Sequence, residues 1–175
     1  MNIVLIGYRC AGKTVVGKGL ASRMRRRFVD TDDLIESSKG KINDIVKDHG
    51  WDYFRTMEKR IVEEISKEDN LVIALGGGAV LDPDNINNLE RNGLIIWLKA
   101  DREVLQKRMS QDPRTNASRP TLTGKGTVEE LEELVVQRDP LYGKASKIQF
   151  DTSGLNVEAV VEKILGVLQE KLGRV

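Results

Sequence analysis

The chain has 175 residues, 39% of them hydrophobic, which is enough for one domain with its own core. Lys and Arg together number 28 against 27 Asp and Glu, so a net charge of +1 argues against nucleic acid or a membrane surface as a partner. A single cysteine, Cys10, excludes an internal disulfide, and the single histidine, His49, excludes a histidine metal cluster. Because the N-terminus also lacks a leader-like pattern, we expect a cytoplasmic protein.

A glycine-rich loop follows the first predicted strand. Residues 2–6 read NIVLI and are apolar after Asn2, residues 7–14 read GYRCAGKT, and residues 15–24 have the apolar spacing of a helix with one buried face. In this context the spacing Gly-x4-Gly-Lys-Thr predicts a loop whose backbone N–H groups wrap a polyphosphate. Lys13 would supply a compact positive charge, and Thr14 would supply an oxygen ligand for Mg²⁺. The alternative is an ordinary strand-turn-helix connection.

Acidic residues follow the second predicted strand, at residues 27–30. The carboxyl ends of parallel strands share one edge of the sheet, so these acids should lie near the glycine-rich loop. Asp30 and Asp32 would point the same way in an extended segment, whereas Asp33 is placed to start the next helix. Helix capping explains one acid well and three poorly, which favours a functional role for Asp30 and Asp32.

Helical patterns occupy the next part of the chain. Residues 34–48 predict two short helices broken near Gly40, and residues 51–67 predict a longer one. Arg55 emerges beside aromatic residues near the start of the longer helix. It is suited to a planar contact with a ligand carboxylate, but an ion pair with Glu58 explains it equally well, so its role stays open at this point.

Three consecutive glycines follow the third predicted strand. Residues 71–75 form the uninterrupted apolar run of a strand buried on both faces, and Gly76, Gly77 and Gly78 come directly after it. The glycines permit either a flexible turn or close approach of the backbone to a ligand, and we favour the second.

The remaining chain continues the alternation of strands and helices. Asp82-Pro83 starts a helix, residues 94–98 predict a buried strand, and a helix runs from Asp101 to Met109. Residues 128–137 predict a helix, which we expect to end before Arg138 because of a nearby proline. The last elements are a strand at 147–150 and a helix at 157–172. Five strands alternating with helices predict an α/β fold, a three-layer sandwich with a five-stranded parallel sheet.

Residues 110–125 lack this regularity. The segment is polar, contains Pro113, Pro120 and Gly124, and is long for a connection inside a compact domain. Such a segment is either a lid or a disordered loop. Arg114 and Arg119 lie within it, where an arginine would close over bound phosphates if the segment is a lid.

Taken together, the motifs resemble the shikimate kinase family, small P-loop kinases of the nucleoside monophosphate kinase fold. The resemblance covers almost the whole chain, as a single kinase domain at 1–175 with a lid near 110–125 and substrate-binding helices near 33–62. It is carried by six pieces in order: GYRCAGKT, Asp30-Thr31-Asp32, Phe54-Arg55, Gly76-Gly77-Gly78, Arg119-Pro120 and Arg138-Asp139-Pro140-Leu141-Tyr142. The first piece alone indicates only a P-loop, and the others make the resemblance specific.

The resemblance implies transfer of the γ-phosphate of ATP to the 3-hydroxyl of shikimate. Arg55 and Arg138 would bind the carboxylate of shikimate, and Asp32 would bind its hydroxyls and orient or deprotonate the attacking one. The triple glycine would pack against the ring, Asp30 would reach Mg²⁺ through water, and Lys13 and Arg119 would be catalytic cations. The implied partner is this small molecule, for a monomer with no nucleic acid and no membrane.

The same resemblance implies a nucleotide site. The residues that would bind ATP are Gly7, Arg9, Cys10, Ala11, Gly12, Lys13, Thr14, Val15, Arg108 and Arg119. Arg108 would stack on adenine opposite the turn at 151–156. The chain departs from the family pattern at Cys10, where glycine is commoner, and at Val157, where proline is common. The alternatives are a gluconate-type or nucleotide kinase, and a P-loop protein without kinase activity.

Overall fold

The structure is a computed structural model that describes residues 1–112 and 127–173, without the side chains of 127–129 and 172. The strands are β1 (Asn2–Ile6), β2 (Arg27–Asp30), β3 (Leu71–Ala74), β4 (Gly93–Lys99) and β5 (Ile148–Asp151). The helices are α1 (Lys13–Met24), α2 (Thr31–Lys39), α3 (Ile42–His49), α4 (Trp51–Ser66), α5 (Pro83–Glu90), α6 (Arg102–Gln111), α7 (Thr127–Ala145) and α8 (Val157–Leu172), with a 3₁₀ turn at Ala79–Leu81. Across the described ranges, none of the helices has the length and apolar character needed to cross a membrane.

The described strands form one parallel sheet in the order β2-β3-β1-β4-β5, which confirms the predicted sheet. Helices cover both of its faces. On one face Leu5 packs near Gly17 of α1. On the other face Trp97, the register partner of Ile6, contacts Tyr142 of α7 with 5.5 Å between ring centroids. Consecutive strand residues point to opposite faces, so the sheet is the middle layer of three.

The core explains why the central strands are apolar without interruption. Ile3, Val4 and Leu5 in β1 are completely buried, because helices exclude water from both faces of the sheet. A smaller second cluster lies under α2, α3 and α4, built from Ile35, Ile42, Ile45 and Phe54. That cluster fixes helix α4 beside the carboxyl edge of the sheet, where it presents Arg55.

Helix α2 begins earlier than predicted. Asp30, the last residue of β2, is its N-cap, and its Oδ1 accepts a hydrogen bond from the backbone N–H of Asp32 at 3.1 Å. Asp33 therefore lies in the first turn, and the prediction that Asp33 starts the helix was wrong. Because the strand leads directly into the helix, Asp32 is helical rather than extended.

Helix α7 runs further than predicted. It continues through Pro140 to Ala145, so Arg138 lies inside the helix rather than past its end. A proline removes one backbone donor and disfavours the helix locally. Here tertiary hydrogen bonds stabilise the surrounding turns, since Arg138 and the hydroxyl of Tyr142 both donate to the carbonyl of Gly77. Helix α6 likewise extends to Gln111, two residues beyond Met109.

Candidate active site

The glycine-rich loop joins β1 to the N-terminus of α1. Gly7 and Gly12 have φ values of +140° and +99°, and a Cβ at Gly7 would lie 2.5 Å from the carbonyl oxygen of Leu98. Cys10 also has a positive φ, 61°, in the left-handed region that favours glycine. The loop therefore curls tightly before the helix starts at Lys13, an arrangement that aims backbone N–H groups at an anion.

Lys13, Thr14 and Asp30 converge beside this loop. The Nζ of Lys13 donates to the carbonyls of Gly7 at 2.8 Å and Tyr8 at 2.7 Å. The hydroxyl of Thr14 donates to Oδ2 of Asp30 at 2.8 Å. The predicted hydroxyl and carboxylate are thus neighbours, although they come from different elements.

This oxygen pair fits Mg²⁺ chemically. Mg²⁺ prefers oxygen ligands and is usually bound through one or two protein groups together with water and substrate phosphates. Within residues 1–112 and 127–173 there is no group of three His, Cys, Asp or Glu side chains that could hold a metal ion by itself. Thr14 and Asp30 therefore fit a metal that shares its coordination with phosphate and water.

A large cleft opens from the loop toward helix α6 and the turn after β5. Arg108 spans it, donating to the carbonyl of Thr152 at 2.9 Å and to the carbonyl of Cys10 at 3.4 Å. The cleft is also lined by Asp112, which accepts a hydrogen bond from the thiol of Cys10 at 3.5 Å. The predicted residues that line this cleft are Arg9, Cys10, Ala11, Gly12, Lys13, Thr14, Val15, Asp30, Asp32, Arg108 and Val157.

A second pocket lies next to this cleft. Arg9 and Asp32 line both cavities, so an occupant of one would face an occupant of the other. The other predicted residues in this pocket are Arg55, Gly77, Gly78 and Arg138, together with Trp51 and Phe54. Gly76 lies just beneath, where an added Cβ would be 2.7 Å from Oδ1 of Asp32. The structure thus brings together the acidic residue, both arginines and the triple glycine.

Arg55 and Arg138 enter the pocket from different helices. Arg55 donates to Oε2 of Glu58 at 2.6 Å, and its guanidinium carbon lies 5.4 Å from the ring centroid of Trp51. Arg138 is 6% exposed and donates to the carbonyl of Gly77 at 3.2 Å. Arg55 is 28% exposed, so its ion pair leaves part of the guanidinium accessible from the pocket. An ion pair with Glu58 and a role at the pocket are therefore compatible.

Glu58 is a site residue that sequence reasoning treated only as a partner of Arg55. Its side chain is 1% exposed, and its Oε1 has no hydrogen-bond partner within the described part of the chain. Burial raises the pKa of Glu58 to about 7, while the guanidinium of Arg55 opposes this rise and Asp32 adds to it. Its spacing from Arg55, three residues along a helix, was the only signal in the sequence.

Two tyrosines connect the loop to α7 and were also missed. The hydroxyl of Tyr8 donates to Oδ1 of Asp139 at 2.6 Å, and that of Tyr142 donates to the carbonyl of Gly77 at 2.6 Å. Their rings meet edge to face with centroids 5.0 Å apart. Burial raises the pKa of both tyrosines above the usual range, so both remain hydrogen-bond donors at neutral pH. The predicted lid residues Arg114 and Arg119 lie outside the described residues.

Comparison with known proteins agrees with this geometry. The family model for shikimate kinase matches residues 9–169. The shikimate kinase of Syntrophus aciditrophicus is 38% identical over 179 residues, covering 97% of this chain and 92% of that protein. The shikimate kinase of Symbiobacterium thermophilum is 40% identical over 172 residues, 98% of each. A solved structure of shikimate kinase from Acinetobacter baumannii in complex with shikimate has a TM-score of 0.89 at 33% identity, covering 98% of this chain and 94% of that one.

Proposed function

The chain belongs to the shikimate kinase family, and we propose that it transfers the γ-phosphoryl group of ATP to the 3-hydroxyl of shikimate. The observation that carries the proposal is the juxtaposition of two cavities. One is built on the phosphate loop, the other contains two arginines and an aspartate, and Asp32 lines both.

The second pocket suits a small polyhydroxylated acid. Arg55 on α4 and Arg138 on α7 both present guanidinium groups that could bind one carboxylate. A guanidinium group can donate two parallel hydrogen bonds to a carboxylate. Asp32 accepts hydrogen bonds from ring hydroxyls and turns the attacking oxygen toward the phosphate loop. The backbone at Gly77 and Gly78 leaves room for the ring. A nucleoside monophosphate would accept the phosphoryl group on its own phosphate, which calls for arginines there rather than for an acid that orients an attacking hydroxyl.

Phosphoryl transfer needs positioning and charge neutralisation more than covalent help from the protein. In the proposed reaction the loop N–H groups and Lys13 bind the nucleotide phosphates, so the Lys13 ammonium exchanges its bonds to the loop carbonyls for bonds to phosphate. Mg²⁺, held through Thr14 and through water by Asp30, would supply further neutralisation of phosphate charge. Arg119, in the segment predicted to form a lid, remains the proposed cation on the transferring phosphoryl group.

We further propose a single kinase domain that works as a monomer in the cytoplasm. The described lining of the two cavities already includes the phosphate loop, Asp32 and both arginines, so the proposed chemistry calls for no further group from a second copy. Size-exclusion chromatography with light scattering measures the oligomeric state, and a mass near 19.6 kDa is expected.

A coupled assay of ADP release tests the proposed reaction. Shikimate, gluconate and the common nucleoside monophosphates are supplied separately with ATP, with and without Mg²⁺. Among these acceptors we expect turnover only with shikimate. In Asp32→Asn the rate should fall on the order of 10²-fold or more. Asp44→Asn, an exposed acid on α3, is the matched control and should behave as wild type. Absence of shikimate-dependent turnover in the wild-type protein would overturn the proposal.

A further inference from the structure

The side chain of Tyr8 leaves the phosphate loop and packs into the protein. Although its backbone belongs to the loop, its side chain is 5% exposed and reaches helix α7, 131 residues away in sequence. Its hydroxyl donates to Oδ1 of Asp139 at 2.6 Å and also lies 3.3 Å from the carbonyls of Leu134 and Val135. A partly buried hydrogen bond to a carboxylate is among the stronger contacts in a protein, so it restricts the distance between the two segments.

The backbone of Tyr8 is tied to the phosphate site. Its carbonyl accepts a hydrogen bond from Nζ of Lys13 at 2.7 Å, and the carbonyl of Gly7 accepts a second one at 2.8 Å. The conformation of this peptide therefore depends on the position of the lysine that, under the proposed function, binds the nucleotide phosphates. Tyr8 connects that lysine, through its own backbone and side chain, to helix α7.

The other end of the connection is next to Arg138. Asp139 follows Arg138 directly in α7, and the guanidinium of Arg138 lines the second pocket. Its guanidinium contacts the carbonyl of Gly77 and the hydroxyl of Tyr142, and its Nε has no hydrogen-bond partner within residues 1–112 and 127–173. Pro140 comes next and lacks a backbone N–H, so this turn of α7 has fewer internal hydrogen bonds than an ordinary turn. The position of Arg138 therefore depends on contacts from outside the helix.

We propose that Tyr8 and Asp139 are a positioning pair that sets the Arg138 guanidinium relative to the phosphate loop. Tyr8 also lines the second pocket, but the pairing itself is the hydrogen bond from its hydroxyl to Asp139. It acts through Arg138, so its loss should weaken binding of the acceptor carboxylate more than binding of ATP. This inference rests on the proposed function, since it assumes that Arg138 binds the carboxylate of shikimate.

The test uses variants that remove the hydrogen bond from either end. Tyr8→Phe removes only the hydroxyl, Asp139→Ala removes the acceptor, and Asp139→Asn keeps an oxygen that can accept the bond. Tyr53→Phe is the matched control, because it makes the same chemical change on an exposed tyrosine of α4. For each variant and for the double variant Tyr8→Phe/Asp139→Ala, the KM values for shikimate and ATP, kcat and the Tm are measured.

We expect Tyr8→Phe and Asp139→Ala each to raise the KM for shikimate about tenfold, with the KM for ATP changed by less than about twofold. The double variant should be no worse than either single one, because both remove the same bond. Asp139→Asn should restore most of the shikimate affinity, and Tyr53→Phe should match wild type.

Several outcomes would overturn the pairing. Additive losses in the double variant would mean that the two residues act separately. Equal rises in both KM values would indicate loosening of the phosphate loop alone, and an unchanged KM in Tyr8→Phe would remove the role of the hydroxyl. Wild-type turnover with shikimate is measured first. If the wild-type protein turns over shikimate but the variants give one of these contradicting outcomes, the positioning pair fails and the proposed function stands. If the wild-type protein does not turn over shikimate, both fail.

Discussion

Glu58 gives the sharpest prediction about how this protein responds to pH. Burial raises its pKa from an ordinary 4.5 to about 7 in the folded chain. Between these values the folded protein keeps a proton that the unfolded chain has already lost. The resulting stabilisation is therefore fully present below pH 4.5 and is lost as the pH rises through 7.

The size of this effect follows from the two pKa values. Each pH unit between them is equivalent to about 1.4 kcal/mol, so the whole transition removes about 3 kcal/mol from the free energy of unfolding. About 2.5 kcal/mol of that change falls between pH 5 and pH 8. Glu58→Gln keeps the shape of the side chain but does not titrate, so this contribution should disappear in the variant.

Urea unfolding at pH 5 and pH 8 measures the difference. Other groups titrate in the same range, so the quantity of interest is the stability of wild type minus that of Glu58→Gln at each pH. We expect this difference to fall by about 2.5 kcal/mol on going from pH 5 to pH 8. Glu64→Gln, an exposed change on the same helix, should leave the wild-type dependence intact. Parallel wild-type and Glu58→Gln curves would refute the argument that burial raises the pKa of Glu58.

Three further predictions follow from single contacts. Arg138→Lys should raise the KM for shikimate about tenfold or more and leave that for ATP nearly unchanged, because lysine keeps the charge but loses the fork; steady-state kinetics test this, and equal effects on both would contradict a carboxylate role. Gly78→Ala should reduce the affinity for shikimate in calorimetric titrations, since the added Cβ would lie 2.6 Å from Cζ of Arg55. The added Cβ of Gly154→Ala would have no atom within 4 Å, so this control should leave the shikimate titration unchanged. Gly166→Ala, on an exposed position of α8 with open space around it, should raise the free energy of unfolding by about 0.5–1 kcal/mol in urea, and a destabilised variant would show that the helix is strained there.

The strands and the phosphate loop could be predicted from the sequence because the patterns that indicate them lie within short stretches of the chain. β1 is apolar at every position after Asn2, as expected for a strand buried on both faces of a sheet, and the loop that follows carries its glycines where backbone angles or close approach demand them. Cys10 occupies a position where glycine is commoner in the family, and its positive φ of 61° explains this because that conformation favours glycine. The boundaries of α8 were likewise predicted correctly, because its amphipathic pattern starts after an Asn cap and ends at a glycine.

Helix limits near the site were less predictable. Asp30 rather than Asp33 caps α2, because β2 leads into the helix without a connecting loop. Pro140 predicts that the helix ends before Arg138, yet α7 continues through the proline because contacts to Gly77 stabilise that region. At α7 tertiary hydrogen bonds outweighed the local effect of proline, whereas at α2 the direct connection of strand and helix moved the N-cap to Asp30.

The amino-acid sequence by itself determined the order of strands and helices along the chain and the phosphate loop. It also supplied the acids, glycines and arginines that were predicted to face this loop. These features depend on residue types and their spacing over short stretches of the chain, so they can be predicted from the sequence. Only the tertiary structure decided that Asp32 lies between two cavities, that Glu58 is buried with a raised pKa, and that Tyr8 bonds to Asp139. Contacts between residues far apart in the chain set these properties, and such contacts leave no periodic or local pattern in the sequence.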